Sequence, residues 1–273
     1  MNEDDISKHY TRGDLAAAID AGLGALGKDA STLRPEDLAP VDEFHIGGRV
    51  ATVHLIEQLG LKPQHTVLDV GAGIGGASRF VASQYGGRVV GIDLTEEYCM
   101  VAMQLAARLG MSERVSYRHG SALAMPFADR SFDAAYMLHV GMNIADKAAL
   151  CREVARVLRP GARFAVYDIL RGHNLAPLVY PVPWASSADM SHVATLDEMR
   201  AALVLAGFSV ERVEDRSEFA REFVAKLRAA ASGPPPLGLH LIMGREFPAK
   251  IANLAQNVGD GRCAPWELIC RRG

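Results

Sequence analysis

From Thr66 onward the chain alternates short β-branched runs with stretches in which apolar residues recur every three or four positions. That alternation predicts strands wound by helices into a mostly parallel sheet. Seven strands are expected: TVLDV (66–70), RVVGID (88–93), RVSYRH (114–119), FDAAYML (132–138), RFAVYD (163–168), FSVERV (208–213) and PWELICRR (265–272). The intervening segments carry helix punctuation. Gly86-Gly87 closes the first, Gly110 the second, and Pro160-Gly161 the third, after an apolar stripe of Leu150, Val154, Val157 and Leu158. Thr195 and Glu198 form a capping-box pair opening a fourth helix, because each side chain accepts from the other residue's free main-chain N–H.

Two regions fall outside the alternation. Residues 1–60 predict helices, one with Leu15, Ile19, Leu23 and Leu26 on a stripe and another starting near Gly48. Residues 217–262 predict a helical insertion interrupted at Gly233-Pro234-Pro235-Pro236, where no helix continues. The expected organisation is an N-terminal helical lid (1–60), an α/β core (61–216), a helical cap (217–262) and a final core strand (263–273). Both helical parts are expected over the carboxyl edge of the sheet, where open α/β folds bind ligands.

Composition narrows the partner. A chain of 273 residues, 49% hydrophobic and 22% charged, can bury a sizeable core. Its formal charge of −3 and lack of a Lys/Arg run argue against a nucleic-acid surface, which needs clustered cations. A small-molecule partner is expected, on a monomer or homodimer. The start MNEDDISKHY is acidic and no window reaches the length of a membrane span, so the expected setting is cytoplasmic, without membrane contact. The four cysteines (Cys99, Cys151, Cys263, Cys270) contain no C-x-x-C pair, and the nine histidines show no H-E-x-x-H spacing. Buried free thiols and no metal are expected.

The segment VLDVGAGIGG (67–76) sets glycines 71, 73, 75 and 76 between a strand and a helix, where bare backbone admits a close ligand. Gly71, Gly73 and Gly76 satisfy G-x-G-x-x-G, and Asp93 follows Gly71 by 93 − 71 = 22 residues, so a nicotinamide oxidoreductase is one reading. Asp69, two residues before the first glycine, favours another. An anion there is awkward beside a pyrophosphate but suits a cationic ligand such as S-adenosylmethionine, with its ammonium and sulfonium. Asp93 can accept both ribose hydroxyls of either nucleotide.

In order, VLDVGAGIGG, GIDLT (91–95), GSALAMPFADRSFDAAYMLHV (120–140) and ARVLRPGARFAVYDI (155–169) resemble the motifs of class I S-adenosylmethionine-dependent methyltransferases. The resemblance implies a Rossmann-like seven-stranded sheet with an antiparallel last strand. It places Gly71, Ala72 and Gly73 at the methionine part, Asp93 and Leu94 at ribose and adenine, Ser121 and Ala122 at the adenine edge, and His139 beside the methyl donor. Ser121 stands where the family commonly has Asp. The segment DEFHIGG (42–48) resembles the H-x-G loop of a small-molecule branch that includes sarcosine and dimethylglycine N-methyltransferases and glycosyl O-methyltransferases. It implies His45, Gly47 and Gly48 near the methionine carboxylate, with Tyr10 closing over the site. VGMNIADK (140–147) resembles the N-methyltransferase side.

Methyl transfer is an in-line displacement that needs an aligned, water-shielded nucleophile. Where a proton must leave, Asp168 and His139, at the carboxyl ends of strands, are the candidate bases. Asn143, Trp184, Tyr180, Arg49 and Arg171 are candidate substrate contacts, the arginines for a carboxylate and the aromatics as a roof or cation–π face. Nitrogen is the expected acceptor. O- or C-methylation of a natural-product intermediate, and S-adenosylmethionine binding without catalysis, remain alternatives.

Overall fold

In the computed structural model, which describes residues 3–29, 32–229 and 235–273, every expected strand is present. They are β1 (Thr66–Val70), β2 (Arg88–Asp93), β3 (Val115–His119), β4 (Phe132–Leu138), β5 (Leu158–Arg171), β6 (Phe208–Asp215) and β7 (Cys263–Arg272). The helices are α1 (Glu3–Tyr10), α2 (Leu15–Ala25), α3 (Ala39–Asp42), α4 (Gly48–Glu57), α5 (Gly76–Tyr85), α6 (Glu96–Arg108), α7 (Lys147–Val157), α8 (Leu196–Leu205), α9 (Ser217–Ala229), α10 (His240–Met243) and α11 (Phe247–Gly259).

The strands form one sheet in the order β3-β2-β1-β4-β5-β7-β6. β1 through β5 pair in parallel, whereas β7 runs antiparallel to both β5 and β6. Because side chains alternate across a strand, each strand supplies two cores. Leu68, Val70, Met137, Phe164 and Val166 face α7 and α8, while Val67, Tyr136, Ala165 and Tyr167 face α4, α5 and α6. Helix α4, within the expected lid segment, has Ala51, Leu55 and Ile56 fully buried in this second core. The remaining N-terminal helices pack with α6 and α10 around Leu15, Ile19, Leu23, Leu38 and Ile242. Leu26, the last member of the expected α2 stripe, is exposed because that helix ends at Ala25.

Two local expectations change. Helix α7 ends at Val157 rather than at Pro160-Gly161, and Leu158 already belongs to β5, paired with Phe132 across a register irregularity in β4. The capping box at α8 is present, with Glu198 Oε2 accepting from Thr195 N at 2.7 Å. Of the Gly233–Pro236 breaker, residues 233 and 234 lie outside the described residues. All four cysteines are free and buried. Among the described residues no helix is long and apolar enough to cross a membrane.

Candidate active site

The carboxyl ends of β1, β2 and β4 open onto a cavity of about 320 Å³. Its floor is the turn after β1. Gly71 and Ala72 donate to the Ile92 carbonyl at 2.8 and 3.0 Å, which ties the turn to β2. Gly71 has φ 73°, and a Cβ there would fall 2.2 Å from Val140 Cγ2. Gly73, at φ 54°, has nothing within 4 Å of the place its Cβ would take, so bare backbone faces open space. Beside it Asp93 accepts from Gly73 N and Thr95 N, both at 2.8 Å, one bond to each carboxylate oxygen. Free lone pairs remain on both oxygens, as a pair of ribose hydroxyls requires.

Asp69 also lines this floor and is 2% exposed. Its Oδ2 accepts from Ser78 Oγ at 2.6 Å and Tyr136 OH at 2.8 Å, yet burial pushes the carboxyl up to about 7. Burial likewise raises Asp93, and raises Asp42 to about 6 despite its 2.5 Å ion pair with Arg79. Asp42 has its counter-charge in Arg79, whereas Asp69 has no cationic partner among the described residues, so a positively charged ligand would favour its ionised form. Open space at Gly73, two-handed Asp93 and the negative floor fit S-adenosylmethionine.

Across from the floor stands His139, a non-glycine residue at φ 54° whose N–H donates to the Tyr167 carbonyl at 2.7 Å. Its ring lies over Tyr167, with centroids 4.9 Å apart, and meets the edge of His45 at 5.9 Å. Burial holds His139 well below the usual imidazole range and lowers His45 to about 4, so both rings are neutral near pH 7. His139 Nε2 is buried and has no hydrogen-bond partner. His45 Nε2, by contrast, lies 3.1 Å from the Gly48 carbonyl and 3.0 Å from Thr52 Oγ1, which donates to Glu43. The adjoining wall comes from a separate apolar cluster: Ile46, Met142, Ile169, Trp184, Phe223 and Leu254. Trp184 Nε1 donates to Ser191 Oγ at 2.9 Å, fixing the indole. Tyr10 OH donates to Asn143 Oδ1 at 3.2 Å, joining α1 to the turn after β4.

The cavity thus brings together Asp69, Gly71, Ala72, Gly73, Asp93, Leu94, Ala122, His139, Tyr10, His45, Asn143 and Trp184. Other expected site residues lie elsewhere. Asp168 points from β5 to the opposite face, where it is fully buried beneath Gly141 and is raised to about 7 by burial, with Lys147 opposing. It does not line the cavity, and its Oδ2 is buried without a hydrogen-bond partner among the described residues. Arg49 is spent on Glu43, at 2.5 Å, and on the Phe80 ring. Arg171 donates to the Leu175 carbonyl, and Tyr180 packs outside the cavity wall. Gly47 and Gly48 shape the start of α4 instead; a Cβ on Gly47 would strike the Phe219 ring at 2.2 Å. Ser121 sits at the rim between the lining residues Gly120 and Ala122, bonded to Glu3.

Glu3, Asp42 and Phe223 also line the cavity although the sequence does not single them out. Asp42 belongs to the DEFHIGG run, but only folding pairs it with Arg79; Glu3 and Phe223 carry no motif. A further cluster of His54, Glu214 and Glu267 gathers on the far edge. Arg216 enters it, donating to Glu214 at 2.9 Å, so it is satisfied as an ion-pair network.

A mostly parallel sheet with this strand order, a glycine turn after β1 and an acidic residue ending β2 define a Rossmann-like nucleotide-binding fold, and the carboxyls beside the turn suit a cationic ligand. The comparisons agree. A methyltransferase domain family matches residues 68–166. Methyltransferase GfsG of Streptomyces halstedii is 30% identical over 190 residues, covering 68% of this chain and 67% of that protein. Phosphoethanolamine N-methyltransferase 1 of Zea mays is 29% identical over 78% of this chain, which spans about half (48%) of that longer protein. Among solved structures, geranyl diphosphate C-methyltransferase from Streptomyces coelicolor superposes with a TM-score of 0.72 at 19% identity, covering 99% of this chain and 98% of that one. The chain belongs to the S-adenosylmethionine-dependent methyltransferases.

Proposed function

We propose that this enzyme methylates an oxygen, or an activated carbon, of a neutral and largely apolar small molecule. The observation that carries the reading is the wall around His139: among the described residues no lysine or arginine lines the cavity, and the part drawn from Ile46, Met142, Ile169, Trp184, Phe223 and Leu254 holds no charge. The phosphorylated substrate named for the Zea mays relative would find no cationic side chain among the described residues of this cavity, at a large desolvation penalty. An amino-acid-like acceptor meets the same obstacle, since Arg49 and Arg171 are engaged elsewhere. Nitrogen, the acceptor expected from the short VGMNIADK motif, is the weaker reading because a protonated amine would find no carboxylate on that wall.

S-adenosylmethionine supplies an electrophilic methyl on a positive sulfur. The chain's own part is to align and to hold a proton. For a hydroxyl acceptor, the unpartnered Nε2 of neutral His139 would be the group to accept the hydroxyl proton during methyl transfer, burial keeping it a weak base that takes the proton only as the hydroxyl oxygen is alkylated. Helices α1, α10 and α11 and the Pro183-Trp184 segment act as the cover that excludes water from this exchange.

The test is a transfer assay with methyl-labelled S-adenosylmethionine and three panels of acceptors: neutral hydroxylated apolar rings, amines, and phosphorylated or carboxylated compounds. Label is expected in the first panel, and His139→Asn should lower kcat by about 10²–10⁴ while S-adenosylhomocysteine affinity stays within a few fold. Transfer confined to amines or anions, or an unchanged kcat in His139→Asn, contradicts the reading.

A further inference from the structure

A site for an adenosyl nucleotide must read the base as well as the sugar. Asp93 marks the ribose end, and Gly120 N donates to the Asp93 carbonyl at 2.9 Å, so the turn from Gly120 to Leu123 starts where a base on that ribose would lie. Leu94, Ala122 and Leu123 line this end and offer apolar surface to the ring faces. The exocyclic amine of adenine is a donor, and a donor left without an acceptor on leaving water is penalised. Ser121 Oγ, beside these apolar residues, accepts from Leu123 N at 3.0 Å and donates to Glu3 Oε1. Glu3 itself lines the cavity from the first turn of α1.

We propose that Glu3 recognises the adenine amino group, with Ser121 as the residue that positions its carboxylate. The carboxylate has about four acceptor sites, of which Ser121 occupies one, and the amine takes another. A purine with an oxygen in place of the amine would present a lone pair to an anion and be rejected. Helix α1 buries none of its residues, and its contacts with the rest of the chain include Tyr10 to Asn143, His9 to the Pro183 carbonyl and to Ser186 Oγ, the Tyr10 ring against Phe44 and Tyr98, and Glu3 to Ser121. A base bound against Glu3 therefore also fastens that helix over the cavity.

The inference rests on the functional reading above, and one experiment separates their failures. S-adenosylhomocysteine and its analogue lacking the 6-amino group are titrated by calorimetry into the full chain and into Glu3→Ala. The wild type should prefer S-adenosylhomocysteine by about tenfold. Glu3→Ala should abolish the preference while leaving affinity for the deamino analogue within about twofold. If the preference survives in Glu3→Ala, or if the substitution weakens both ligands equally, Glu3 does not read the amine, although the methyltransferase reading stands. If the wild type takes up neither ligand, both fall together.

Discussion

Asp69 shows how one buried charge ties stability to ligand binding. Its carboxyl rises from the ordinary 3.8 to about 7, chiefly through desolvation. A carboxyl raised in the folded state contributes stability that is complete at low pH and is lost as pH climbs from its unfolded value through about 7. A cation bound beside the ionised group offsets that loss, so affinity for S-adenosylmethionine should weaken as pH falls below 7, approaching about tenfold per unit. Asp69→Asn should flatten the dependence. Calorimetric titrations from about pH 8 to about pH 6 check this, and a flat wild-type profile contradicts it. The anion was legible in the sequence from its place before the glycines. The direction of Asp168 was not: it and Ile169 are neighbours on β5 and so face opposite sides, and only the register of β5 against β4 and β7 decides that Ile169 is the one lining the cavity.

The turn between β1 and α5 serves packing and binding through different glycines. Gly71→Ala combines a left-handed backbone with a 2.2 Å clash against Val140, so it should destabilise the fold by about 2–5 kcal/mol. Gly73→Ala meets no protein atom, so it should cost only about 1–2 kcal/mol of stability and reduce S-adenosylhomocysteine affinity by more than about tenfold. Thermal melts with and without ligand distinguish the two; a Gly73→Ala protein that binds normally would remove the ligand from this turn. Strands were readable because those covered on both faces become near-continuous apolar runs. The start of β5 was not, since Leu158-Arg159-Pro160-Gly161-Ala162 carries no alternation and joins the sheet only through pairing beyond an irregular β4. Ion pairs such as the local Arg49–Glu43 and the distant Arg79–Asp42 likewise had no signature, so arginines that look available in the sequence are already engaged.

At the scale of the molecule, one sheet edge holds the nucleotide chemistry and the helices at both ends of the chain supply the cover. Cores on both faces of the sheet carry the motif-bearing strands, whereas the apolar wall proposed to face the acceptor draws on β5, on the 180–193 segment and on helices α9 and α11. That wall has no motif, which is why class was legible and acceptor was not: its composition follows from tertiary packing of residues with ordinary hydrophobic patterns. If the crevice over β1 and β2 holds a cationic adenosyl donor, parallel calorimetric titrations should show one S-adenosylhomocysteine bound per chain and no heat from reduced or oxidised nicotinamide dinucleotide; saturable dinucleotide binding with no response to S-adenosylhomocysteine would overturn that assignment.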